Sequence, residues 1–201
     1  MREVLGSPAA LPALANVEDT DRALVVAARE GDRRGFETIV RTYQKRVYGL
    51  ALRMTRRHDV ADEIAQETFV RAFTNLDRFE LGRPLMPWLA RIATNLALNH
   101  LASAPVRRET SLPDDHEPPA PRSASHDGEP LRALLSSELT RALDAAIEKL
   151  PAEQKAVFVL KVQEELRYEE IAEVLGISLG TVMSRLSRAR AKLKTMLRDH
   201  L

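Results

Sequence analysis

Gly176 limits what this chain can fold into more than any other residue. Before it, Ile171, Ala172, Val174 and Leu175 recur at helical spacing within Tyr168–Leu175. A glycine directly after such a run stops the helix, because glycine takes the left-handed C′ conformation at little cost. Two residues later Ser178 is placed to cap a second helix, whose Val182 and Leu186 face inward one turn apart. Ala172 is small enough for the two helices to cross closely. The stretch from Tyr168 to Leu186 therefore reads as a helix-turn-helix.

Charge sharpens that reading. From Val174 to Arg198 there are six basic residues (Arg185, Arg188, Arg190, Lys192, Lys194 and Arg198) and no acidic one. The segment before it, Lys161 to Glu173, holds five glutamates against Lys161 and Arg167. Positive charge thus sits on the second helix and its continuation, where duplex phosphates would lie. The net charge over 201 residues is only +1, so nucleic-acid binding has to come from such a local patch.

Composition excludes several other chemistries. Without cysteine there is no disulfide, cysteine-ligated zinc or thiol switch within the chain, which fits a reducing cytoplasm. The five histidines (His58, His100, His116, His126 and His200) are scattered, and no His-x-x-x-His or Glu-x-x-His pair occurs. No metal, cofactor or catalytic residue is expected. The apolar stretch Ala9 to Ala15 is broken by Pro12 and followed by Glu18, Asp19 and Asp21. It reads as part of a disordered tail over residues 1–20 rather than as a signal segment, and no membrane insertion is expected.

With eight glycines and no β-branched alternation, the chain reads as all-α. Thr20 or Asp21 caps a short helix, Arg22 to Glu30, ended by Gly31. A long helix from Arg33 to Met54 carries Phe36, Ile39, Val40, Tyr43, Val47 and Leu50 as its buried stripe. A third, Asp59 to Leu76, turns Val60, Ile64, Ala65, Phe69, Ala72 and Phe73 inward, and a fourth runs from Pro87 to Leu101. Residues 102–130 hold six of the 11 prolines and almost no large apolar side chain, so they read as a flexible linker. Helical pattern resumes from Leu131 to Leu150, then from Ala152 to Gln163 behind Pro151, and ends in the corner and the basic helix. Two small helical domains result, 21–101 and 131–201.

Three segments together resemble a known family. They are Asp59 to Phe73, Trp88 to Leu101, and Leu150-Pro151-Ala152-Glu153-Gln154-Lys155 running into Gly180 to Arg190. In that order and spacing they are similar to the extracytoplasmic-function (ECF) branch of the sigma-70 family of bacterial RNA polymerase sigma factors. The resemblance covers about 22–101 and 138–198, and the linker falls where that family has one. It implies a sigma region 2 domain at 21–101 and a region 4 helix-turn-helix domain at 131–201. The implied partners are core RNA polymerase, through its β′ and β subunits, promoter DNA, and in many relatives an anti-sigma factor.

The resemblance also implies roles for individual residues. Asp59, Asp62, Glu63, Gln66 and Glu67, a polar stripe on the third helix, would dock on core polymerase. Asn95 and Asn99, one turn apart on the fourth helix, would hold the −10 strand together with Arg91 and Trp88. An asparagine suits this because its amide both donates and accepts at a base edge. Thr181, Met183, Ser184, Arg185, Ser187, Arg188 and Arg190 would meet the −35 element, with Lys161 reaching the DNA backbone. Arg188 is the candidate for a bidentate guanine contact. Met183 sits where many relatives carry a basic residue, which makes its contact apolar or absent.

Two other readings compete. A free-standing helix-turn-helix regulator would bind a palindrome as a dimer, yet no heptad or apolar dimer face is visible. An enzyme with a carboxylate metal centre in a helical bundle would need Glu-x-x-His pairs, and none exists.

Overall fold

The computed structural model describes residues 17–103 and 130–198. Among them every regular element is helical. The first domain comprises α1 (Val17–Arg29), α2 (Arg33–Thr55), α3 (His58–Thr74), a 3-10 turn at Leu76–Arg78 and α4 (Leu85–Ser103). The second comprises α5 (Pro130–Glu148), α6 (Ala152–Val162), α7 (Tyr168–Leu175) and α8 (Leu179–Met196). The flexibility expected of the 1–20 tail and of 102–130 falls outside the described residues except at the edges, where 17–20, 102–103 and 130 belong to helices.

α2 is the spine of the first domain. Ile39, Tyr43, Val47, Leu50, Ala51 and Met54 are buried along it, as the three-and-four spacing predicts, and α1, α3 and α4 pack around it. α1 crosses α2 at Gly35, where a Cβ would stand 2.9 Å from the backbone of both Leu24 and Ala28. Any side chain there would force the two helices apart.

The start of α1 differs from expectation. The helix begins at Val17, so neither Thr20 nor Asp21 is its cap. Asp21 is buried instead, at 2% exposure. Its carboxylate accepts the Tyr43 hydroxyl at 2.6 and 2.8 Å and the backbone N–H of Leu85 at 3.0 Å. Burial, the Asp21 hydrogen bond and the Asp21 charge all push the Tyr43 phenol above its ordinary pKa. α1 thus caps α4 across 64 residues of sequence. Further along α1, the Arg29 guanidinium donates to the carbonyls of Leu76, at 2.8 and 3.1 Å, of Asp77, at 3.1 Å, and of Phe79.

Two more expectations are corrected. Phe73, expected to face inward, is 60% exposed. The buried row of α3 passes through Phe69 and Ala72 and continues to Leu76, leaving Phe73 one position off that face, edge-on to Phe36 at 4.9 Å. α4 begins at Leu85 rather than Pro87. Pro87 is tolerated in the first turn, where an N–H has no intrahelical partner.

In the second domain the corner forms as read. Gly176 adopts φ 63°, and the Ser178 hydroxyl accepts from Thr181 N–H at 3.1 Å. Val182, Leu186, Ala189 and Leu193 of α8 face inward. α7 gains an unread cap: the backbone N–H of Arg167 donates to the Glu170 carboxylate at 2.7 Å.

The two domains pack against each other, α7 and α6 lying on α4 and α6 also on α2. Three ion pairs cross the junction: Arg46–Glu164 at 2.9 Å, Arg56–Glu148 at 2.8 Å and Arg83–Glu173 at 2.9 Å. In each the arginine belongs to the first domain and the glutamate to the second.

Candidate functional site

The polar stripe of α3 stands opposite a committed core. Val60, Ala61, Ile64, Ala65, Thr68 and Phe69 are buried, while Asp59, Asp62, Glu63 and Gln66 are exposed and Glu67 is half-buried. Two of the carboxylates are tied locally. Asp59 pairs with Arg57, whose guanidinium hydrogen bond holds the Asp59 carboxyl below its usual range. Glu67 pairs with Arg71 one turn on, at 2.6 Å. Val70 and Phe73, 59% and 60% exposed, continue the exposed side of the helix as an apolar end that periodicity did not reveal.

On α4 the structure places Arg91, Asn95 and Asn99 at the surface. Their i, i+4 spacing puts Arg91, Asn95 and Asn99 in one row. The opposite side is locked into the core by Leu85, Leu89, Ala90, Ala93 and Ala97. Trp88 is half-buried and packs against the buried Phe79, with ring centroids 5.3 Å apart. It is mainly a wall of the loop before α4. Leu85 and Met86, in the first turn of α4, are buried. Buried Thr94 leaves its hydroxyl without a hydrogen-bond partner.

Of the expected −35 residues on α8, Met183, Ser184, Ser187, Arg188 and Arg190 are exposed, and Thr181 and Arg185 are half-buried. They form the side of the helix away from Val182, Leu186 and Ala189. Arg188, Arg190, Lys192 and Lys194 pair with no carboxylate among the described residues. Arg185 differs: its guanidinium meets Glu153 of α6 at 2.5 Å. Lys161 is also engaged inside its own domain, donating to the Leu166 carbonyl at 3.0 Å and lying 5.1 Å over the Tyr168 ring. The structure thus groups five exposed residues of the expected −35 set on one face and holds Arg185 and Lys161 by intramolecular partners.

The residues that sequence reasoning missed are those of the domain junction. Glu164 is the most buried of them, its side chain 6% exposed. Burial pushes its carboxyl up from the ordinary range, and the charge of Arg46 pulls it back. The one sequence signal was the glutamate-rich stretch 161–173, which reads equally as a solvated face. Among the described residues no group of histidines and carboxylates is gathered in a way that could hold a metal ion, and no helix is long and apolar enough to cross a membrane.

Comparison with known proteins adds the following. Residues 39–105 match the model of sigma-70 region 2, and residues 140–193 match that of sigma-70 region 4. The ECF RNA polymerase sigma-E factor of Haemophilus influenzae is 37% identical over 174 residues, covering 85% of this chain and 92% of that protein. The ECF RNA polymerase sigma factor SigW of Bacillus subtilis is 36% identical, covering 85% of this chain and 93% of that one. Among solved structures, CnrH in complex with the cytosolic domain of CnrY superposes with a TM-score of 0.64 at 28% identity, over 90% of this chain and 99% of that chain.

Proposed function

The chain belongs to the ECF RNA polymerase sigma factors of the sigma-70 family, and from that membership we propose how its two helical domains divide the work. As a sigma factor it binds core RNA polymerase and directs promoter recognition and transcription initiation. The observation that supports the division is a pair of exposed helix faces of opposite character, one in each domain. α3 carries carboxylates and Gln66 over a filled core; α8 carries cations with no carboxylate partner among the described residues.

In this reading Asp59, Asp62, Glu63, Gln66 and Glu67 form the polymerase face. Acidic groups suit a partner surface rich in arginine, and Gln66 pairs with either sign. α4 meets the −10 strand through Asn95 and Asn99, with Arg91 on phosphates and Trp88 bracing the loop. Ser184, Ser187 and Arg188 of α8 face the −35 duplex, while Arg190 and Lys192 lie toward its backbone. Arg185 and Lys161 contribute only if they exchange their present partners for phosphates. The protein works in the cytoplasm, where its polymerase is, and not as an enzyme. An anti-sigma factor belongs to the same proposal as a regulatory partner.

Strand opening tests the assignment of α4. Asn95→Ala combined with Asn99→Ala should still assemble with core polymerase and still bind −35 duplex, yet leave −10 thymines unreactive to permanganate. Normal thymine reactivity in this double variant would remove Asn95 and Asn99 from the −10 site.

A further inference from the structure

The first two turns of α8 present something a basic helix does not need. Leu179 is 38% exposed and Met183 49% exposed. They stand at i, i+4, one above the other on the flank of the helix, where the inward row meets the outward side. The inward side is already filled by Val182, Leu186, Ala189 and Leu193. Gly180 adds no side chain beside them, and a Cβ there would meet nothing closer than the Ser178 hydroxyl at 3.9 Å.

The polar groups of the same two turns are turned onto the protein itself. The Ser178 hydroxyl accepts from Thr181 N–H at 3.1 Å and shares a hydrogen bond with the Thr181 hydroxyl at 2.8 Å. The Ser184 hydroxyl donates to the Thr181 carbonyl at 3.1 Å. Polar side chains with no intramolecular hydrogen bond begin on the outward side only with Ser187 and Arg188. The N-terminal end of a recognition helix is the end that reaches base edges in the major groove. Here that end offers an apolar pair.

The major groove offers one apolar group, the C5 methyl of thymine. Charge fixes the duplex as the occupant, because the rest of this helix is basic and carries no acid from Val174 to Arg198. We infer that Leu179 and Met183 read thymine methyl groups in the −35 element, Met183 as the main contact and Leu179 as the wall behind it. This rests on the assignment of α8 to the −35 duplex and adds its base chemistry. Covering one methyl group corresponds to about fourfold in affinity.

Deoxyuridine tests this directly, since it lacks only that methyl group and pairs as thymidine does. Holoenzyme made from the full chain and core polymerase would first select from a duplex library randomised over the −35 region. Each thymine in the selected sequence would then be replaced singly by deoxyuridine. At one or two positions the replacement should weaken binding about fourfold. Met183→Ala should remove that difference, and Met183→Leu should keep it. Circular dichroism of each variant reports that the exposed substitutions leave the fold unchanged. Equal binding of thymine and deoxyuridine at every position would overturn the inference, while a continued dependence on the −35 sequence would leave the assignment of α8 standing. If scrambling the whole −35 region changed nothing, that assignment would fail and the inference with it. Loss of core-polymerase binding in Met183→Ala, with thymine and deoxyuridine bound alike, would make the pair a polymerase contact instead.

Discussion

The exposed faces of α3 and α8 are built on the same plan and handle their charges in opposite ways. Each helix buries one apolar row and turns a charged row outward. On α3 two carboxylates are already paired with arginines of the same segment, Asp59 with Arg57 and Glu67 with Arg71. On α8 Arg188, Arg190, Lys192 and Lys194 have no such partner among the described residues. Paired charges fix side-chain positions and cancel much of each other's long-range field, which favours a surface read by shape and register. Unpaired cations project a field that draws a polyanion, and their strength depends on salt. The junction between the domains is a third case. There Glu164 is withdrawn from water and held by Arg46.

The largest effect is expected where the comparison can be broken outright. Asp62→Lys with Glu67→Lys reverses the charge of the face proposed to meet an arginine-rich surface and should abolish association with core polymerase, by about a hundredfold or more. Both positions lie outside the core, so helical circular dichroism should be unchanged. A folded variant that co-elutes with core polymerase as before would make the α3 face ordinary solvated surface.

Arg188→Ala comes next. It should cost about 1–3 kcal/mol of −35 binding and relax base choice at one position. An unchanged preference in a promoter-library readout would show that the unpaired cations of α8 act only through their field.

The buried pair should give about 1–2 kcal/mol, since Arg46→Ala leaves the Glu164 carboxylate without its partner. Thermal unfolding measures it. Glu164→Gln should cost less, because it removes the charge that burial penalises. The pH dependence has a definite sign. The folded-state pKa of Glu164 is raised above its unfolded value. Its contribution is therefore fully present below the unfolded pKa and is lost as pH rises through the raised one. Wild type should gain stability relative to Glu164→Gln on mild acidification, and a flat difference between the two from acid to neutral pH would contradict the burial account.

Lys192→Ala should have the smallest effect at a fixed salt concentration. It should weaken all sequences alike and lower the salt slope by about one. A sequence-dependent loss would move Lys192 from the backbone to a base.

How legible these features were depended on the range of the interactions that fix them. The corner at Gly176, the Ser178 cap and the inward stripes of α2 and α8 are set within four or five residues, and spacing reveals them. Asp21 resembles a local cap by the same rules. Its partners are 22 and 64 residues away, and that tertiary demand overrode the local signal. Phe73 satisfied the helical period closely enough to be counted as core, but the inward row passes through Ala72 to Leu76. The residues of the candidate site came from the resemblance to a family, which gives positions and not partners. That is why the engagement of Arg185 with Glu153 and of Lys161 with Leu166 could not be foreseen. The junction pairs span 90 to 118 residues, a range over which a single sequence carries no pairing signal.

The two anchoring side chains of α1 have a joint consequence for the loop in front of α4. Arg29 holds the chain at Leu76, Asp77 and Phe79, and Asp21, on the same helix, holds it at Leu85. The loop is an arch with both feet set in one beam. Only its crown, residues 80–84, is left to bend, and within that crown Arg83 reaches Glu173 of the second domain. Parting the domains would uncover α4 and release the keystone while the feet stayed fixed, so the change in the loop itself would be confined to five residues and need no refolding of the first domain.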